Sequence, residues 1–202
     1  MHKLLGLVLL IGISSSAQQA TLPSSVKPAE QDGPLELSLN YDYARANAGP
    51  GQCGCFTMNG GSTEVAFHAW RGFSAVADLT GERASSIGAT GGDGLSLVFF
   101  TVGPRYTFRF RGEKLSHYST FAQGLVGAAH GFDSLFPASN GSLAGAANSL
   151  AVLAGGGLDI PMSRYIAIRA FQADYLRTQL PNNASDEQNS LRLGAGVVLH
   201  AW

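Results

Sequence analysis

Eight charged residues of this sequence, Glu36, Asp42, Glu64, Asp78, Arg105, Arg109, Asp174 and Arg192, fall on the polar side of stretches in which apolar and polar residues alternate. Alternation of period 2 turns them all to one face of extended chain. Gathered inside a closed sheet, the carboxylates and guanidiniums would neutralise one another away from water. A narrow conduit lined by the same charges is the alternative. A second candidate is Gln52-Cys53-Gly54-Cys55-Phe56. Cys53 and Cys55 are a candidate disulfide, since paired cysteines are usual in exported chains; its tight ring would be strained and easily reduced. Free or intermolecular thiols and metal capture are the other readings. The pair supplies two of the four ligands a zinc site wants, and no His lies near it in sequence. No metal or cofactor is expected. Two further sets carry nucleophile and base types: His117-Tyr118-Ser119, and His130 with Asp133 and Ser134. The first is a His-x-Ser triplet that could supply base and nucleophile, the second has the spacing of a triad without a motif, and no catalytic residue is assigned.

The elements that must position these residues read as strands. In the C-terminal stretch, Leu191, Leu193, Ala195, Val197, Leu199 and Ala201 fall on one face, and Arg192, Gly194, Gly196, Val198 and His200 on the other. Trp202 lies one residue beyond the apolar register. Leu35 to Ala44 alternates more cleanly still, with Leu35, Leu37, Leu39, Tyr41 and Tyr43 against Glu36, Ser38, Asn40 and Asp42. Six more strands are predicted over about 62–70, 73–81, 94–110, 116–130, 148–160 and 165–178, the fifth without clear parity. Tight turns are expected at 71–72, 111–115 and 161–164, and long loops at 49–61, 82–93, 131–147 and 179–188. A wall that is apolar outside and polar or small inside, with long and short connections in alternation, predicts an all-β, closed antiparallel up-and-down transmembrane barrel of about eight strands. Aromatic residues sort to the two ends, Trp70, Phe108, Tyr165 and Trp202 with the turns and Tyr41, Tyr43, Phe99, Phe100 and Tyr175 with the loops, as two interfacial girdles do. In the seventh strand, Gln172 and Asp174 facing inward would put Arg169 in lipid under strict alternation, unless a β-bulge or a place near the interface relieves it.

Composition limits the alternatives. Thirteen Lys and Arg against 14 Asp and Glu give a formal net charge of -1, which offers no basic surface for nucleic acid. The 26 glycines among 202 residues suit a narrow barrel crowded from every strand. Met1 to Ala17 reads as a cleaved secretory signal: His2 and Lys3, an apolar run, then Ser15-Ser16-Ala17. Residues 18–33 read as a flexible polar leader and 34–202 as the barrel.

Together with the signal, the strand count and the C-terminal strand, Val102-Gly103-Pro104-Arg105-Tyr106 and Ala173-Asp174-Tyr175 resemble the small bacterial outer-membrane β-barrel domain, the OmpA-like transmembrane fold. No counterpart of that family's periplasmic peptidoglycan-binding domain is expected from these residues. The resemblance implies a monomer in the bacterial outer membrane with a filled polar lumen and outward loops, serving a structural or surface-interaction role rather than an enzymatic one. Its implied partners are outer-membrane lipids and lipopolysaccharide, the barrel-assembly machinery during biogenesis, and an outer-loop partner of unknown identity. The alternatives are a narrow pore, a soluble exported lipocalin-like binder of a small apolar ligand, and a lipid A-modifying enzyme. The lipocalin-like barrel needs the reverse facing, apolar inside. The enzyme is opposed by topology, because His117 and Ser119 fall at the periplasmic end.

Overall fold

A computed structural model describes residues 34–47, 55–87, 94–110, 118–137, 142–181 and 186–201. The expected signal and leader, Cys53, His117 and Trp202 lie outside these residues. The described chain forms eight strands: β1 (Leu35–Asn47), β2 (Cys55–Trp70), β3 (Phe73–Ala84), β4 (Leu95–Arg109), β5 (Ser119–Pro137), β6 (Leu143–Pro161), β7 (Ile166–Thr178) and β8 (Gln188–Ala201). Each pairs antiparallel with its sequence neighbours, and β1 also pairs with β8, which closes the sheet. Closure removes every edge, so all wall amides and carbonyls can bond within the sheet.

The register sets the barrel's proportions. Following partners from Ala122 through Gly156, Ala173, Leu193, Tyr43, Asn59, Arg83 and Ser96 returns to β5 at Phe132. That is ten residues above the start, from position 122 to 132. A stagger of ten residues over eight strands tilts the strands by about 40° and leaves an interior that side chains can just fill.

The facing is inverted relative to a soluble barrel. Outward positions carry Leu39, Tyr41, Phe67, Leu79, Phe100, Val126, Phe171, Leu191 and Val197, all exposed, while Glu64, Asp78, Arg105, Asp174 and Arg192 are buried within. An apolar shell of this extent is stable against lipid rather than water. The two-residue connection between β2 and β3 has Arg71 at φ 45 and Gly72 at φ 88; both central positions of such a turn need positive φ, which matches the twist of the flanking strands. Glycine inside the wall makes room for charge: a Cβ on Gly155 or Gly194 would run into the carboxyl groups of Asp174 and Asp42.

One expectation is corrected. The strands run farther toward the loop end than alternation suggests. β2 begins at Cys55, β5 continues to Pro137 and β6 begins at Leu143, so the expected loops at 49–61 and 131–147 are largely strand. Gly60, Gly61, Gly131 and Ala146 pair in the ladder, but glycine has no side chain, and alanine only a methyl group, to mark a face. The tight turn expected at 111–115 lies outside the described residues, between the end of β4 at Arg109 and the start of β5 at Ser119.

A second outcome concerns Arg169. Register shifts fall between Leu158 and Asp159 in the β6–β7 pairing and between Arg169 and Gln172 in the β7–β8 pairing. This bulge sets Ala170 and Phe171 both outside and turns Arg169 into the lumen, where it is fully buried. Of the two ways to relieve the conflict in this strand, the extra residue is the one used.

Candidate functional site

The lumen is filled in layers. Nearer the turn end, Glu64 on β2 is the hub. Its carboxylate accepts hydrogen bonds from Ser38 Oγ (3.1 Å), Gln123 Nε2 (3.2 Å) and Gln172 Nε2 (2.9 Å), and it pairs with both Arg105 and Arg169. Arg105 also donates to Glu36 at 3.0 Å and to Gln123 at 3.0 and 2.7 Å. Arg169 donates to Asp159 at 2.9 and 3.2 Å, Glu36 at 3.2 Å, Ser38 at 3.2 Å and Gln172 at 3.0 Å. Both guanidiniums stand over the Phe121 ring, 4.3 and 4.4 Å from its centroid, a desolvated cation–π contact that fixes their planes. Pairing with several donors at once makes buried charge tolerable, because no lone pair is left facing a dry interior.

A second cluster is organised by Arg192 on β8. It donates to Asp174 Oδ2 at 2.8 and 3.2 Å and to Thr80 Oγ1 at 2.6 Å, and lies 3.8 Å from Asp78. Thr80 Oγ1 donates in turn to Asp78 Oδ1 at 2.9 Å. Gln172 and Gln123 reach across to Asp174 at 2.7 and 3.4 Å and join the clusters. Here the carboxylates outnumber the guanidiniums: Asp42, Asp78, Asp174 and Glu82 are buried around Arg192. One oxygen each of Asp42 and Asp78, and both of Glu82, have no hydrogen-bond partner.

Beyond these clusters, toward the loop end, the lumen turns apolar. Met58, Leu97, Phe99, Leu125, Phe136, Leu153, Leu176 and Leu180 are buried together there, with Phe56, Ile87 and Ala147 packed on them. The opposite mouth keeps an open cavity of about 40 Å³, lined by residues that include Glu36, His68, Arg109, Asp159 and His200. His200 Nε2 lies 3.8 Å from Glu36.

Of the eight charged residues picked out in the sequence, Glu36, Glu64 and Arg105 meet in the first cluster, and Asp42, Asp78, Asp174 and Arg192 in the second. Arg109 is exposed at the turn-end mouth, on the cavity that Glu36 and Asp159 of the first cluster also line. Sequence reasoning did not include Arg169, Asp159, Glu82 and Gln123. Glu82 falls in a stretch whose sequence reads as a loop, and Gln123 lies on the strand whose faces are both rich in small residues. Gln123 and Gln172 were readable only as polar positions, yet they bridge the clusters.

Other candidates fall elsewhere. Cys55 is exposed at the start of β2, and its candidate partner Cys53 lies outside the described residues. His130 faces outward and bonds Asn148 at 2.6 Å, while Asp133 accepts from Ser96 Oγ at 2.8 Å; these two residues have separate partners rather than each other. Tyr41, Tyr43, Trp70, Phe108 and Tyr165 are exposed on the outer surface. Phe99, expected in a girdle, is instead fully buried in the lumen, because β4 is apolar on both faces here.

Eight strands, a stagger of ten, an apolar exterior and a charge-filled interior define a small transmembrane β-barrel. The structure is similar to two solved outer-membrane proteins: neisserial surface protein A (TM-score 0.60, 13% identity, covering 83% of this chain and 97% of that one), and Ail, the attachment invasion locus protein of Yersinia pestis (TM-score 0.54, 18% identity, covering 82% and 98%). The chain thus has the fold of the small eight-stranded outer-membrane barrels. In sequence, no family model and no curated protein matches it.

Proposed function

We propose that this protein is a bacterial outer-membrane barrel that acts through its outward surface as a structural or surface-interaction protein, with a lumen that neither conducts nor catalyses. The observation that carries the reading is the filling of the lumen by two unlike barriers in series, a ring of paired charges and an apolar layer. With the lumen filled in this way, the barrel's exterior and its loop end are what other molecules can meet. Two proteins of the same fold are an attachment invasion locus protein and a surface protein, which supports this role by analogy of fold.

The loop end faces out of the cell in this reading. There β5 and β6 form the tallest part of the wall, with Leu135 and Leu143 exposed near its tip. Assembly would proceed through the cell's barrel-assembly machinery after export by a cleaved signal, and the barrel would sit as a monomer among outer-membrane lipids and lipopolysaccharide.

Cys55 offers a direct test. In a Cys53→Ser variant it is the chain's one thiol and lies at the loop end. A membrane-impermeant maleimide should label it on intact cells. Labelling only after the outer membrane is opened would overturn the orientation and with it the surface role.

A further inference from the structure

Above the closed wall one strand edge is left without a neighbour. β6 pairs with β5 from Asp159, opposite Ser119, up to Leu143, opposite Pro137. On its other side the pairing with β7 starts only at Ala151, opposite Thr178, where β7 ends. The chain leaving β7 does not continue the ladder. The Leu180 backbone N–H donates to Gln188 Oε1 at 2.8 Å and its carbonyl accepts from Gln188 Nε2 at 2.7 Å, so these groups are spent on β8 while the side chain packs into the lumen. Among the described residues, the edge of β6 over positions 143–150 therefore faces no strand.

In an antiparallel strand every second residue turns both its N–H and its C=O to the same side. Positions 143–150 thus offer an edge of about 26 Å, with about four residues presenting donor and acceptor at the spacing of a ladder. Only another extended backbone meets all of them. Nothing in Leu143-Ala144-Gly145-Ala146-Ala147-Asn148-Ser149-Leu150 blocks it: the stretch has no charge and no proline, the residues that ordinarily blunt an edge, and none of the eight is buried. A Cβ on Gly145 would meet nothing within 4 Å, and alanines stand on both sides of it. The space beside the strand therefore suits large residues on an incoming one. The hairpin is held in shape by its own cross-strand contact, His130 to Asn148 at 2.6 Å.

We propose that the free edge of β6 at positions 143–150 docks an extended segment of another protein outside the cell, which adds to the β5–β6 hairpin as a third strand. Main-chain hydrogen bonds to the edge supply the affinity, and side chains alternating on the two faces supply the choice. With only small neutral side chains along its middle, the edge selects an uncharged segment whose β-branched or aromatic residues fill the space beside Gly145, Ala146 and Ala147. A second copy of this chain does not fit. Two barrels upright in one membrane bring these edges together at about 80°, twice the strand tilt, whereas paired strands cross at about 20–25°. The site rests on the surface reading above, which puts the loop end outside the cell, and it names the kind of partner met there.

The test uses the full chain refolded in detergent, where orientation in a cell plays no part. Failure here is therefore distinct from failure of the thiol-labelling test. The probe is a fluorescent peptide of alternating Val and Thr with a Lys at each end, and its control carries Pro in place of every Val. Hydrogen exchange read by mass spectrometry should find part of the amides at 143–150 unprotected in the protein alone and protected once the probe is added. By fluorescence anisotropy the probe should bind at least about tenfold more tightly than the control. Neighbouring residues point their N–H groups to opposite edges, so one of Ala146→Pro and Ala147→Pro spares the bonds to β5. That variant, shown to be folded by heat-modifiable migration, should lose about tenfold in affinity for the probe. Should neither fold, Ala146→Lys must weaken binding instead. An edge already protected in the protein alone, equal binding of probe and control, or undiminished binding by the folded variants would overturn the proposal.

Discussion

One wall encloses two lumens. Between Glu64 and Arg192 the interior is held by ion pairs and amide bridges. A few residues farther along the same strands, Phe99, Leu125, Leu153 and Leu176 fill it with close-packed apolar side chains. The outside does not register the change, since Phe100, Val126, Val152 and Tyr175 continue the exposed apolar shell. The contrast separates two ways of closing a barrel: the ionic layer is stabilised by completeness of pairing, the apolar layer by volume.

That difference orders the expected effects of mutation. The largest belongs to Arg169→Ala, which strips partners from Glu64 and Asp159 at once; breaking a buried pair on one side costs about 3–5 kcal/mol, read as a lowered midpoint for unfolding in urea from lipid vesicles. Leu153→Ala should cost about 3 kcal/mol through its cavity, with the ionic layer intact. Glu82→Met should act in the opposite direction. It removes a buried carboxylate with two unbonded oxygens beside an apolar layer, and should stabilise the fold by about 1 kcal/mol, seen as a higher temperature for heat-modified migration. The smallest effect is Leu153→Met, a swap that keeps volume and should change stability by under about 1.5 kcal/mol. If Leu153→Met proved as damaging as Arg169→Ala, the two layers would not differ in kind.

The two layers also differ in how far the sequence discloses them. The ionic one is visible because its charges break the apolar alternation. Glu36 and Asp42 mark the inward face of β1, and Arg192 that of β8. Arg169 escaped because a bulge shifts its parity, and no residue type announces a bulge. The apolar layer is unreadable for another reason. Where inward Phe99 neighbours outward Phe100, and inward Leu125 neighbours outward Val126, both faces are apolar and period 2 carries no signal. Small residues hide the ends of β2, β5 and β6 in the same way. The closed eight-stranded fold was legible because β1 and β8, which make the closing seam, are the two strands with clean alternation.

The central claim is that the two layers in series leave no passage. Single-channel recording in planar bilayers, with protein recovered from the same vesicles and shown to be heat-modifiable, tests it directly. The account predicts no conductance steps from the wild type. Stable unitary steps whose size changes in Arg192→Ala would contradict it.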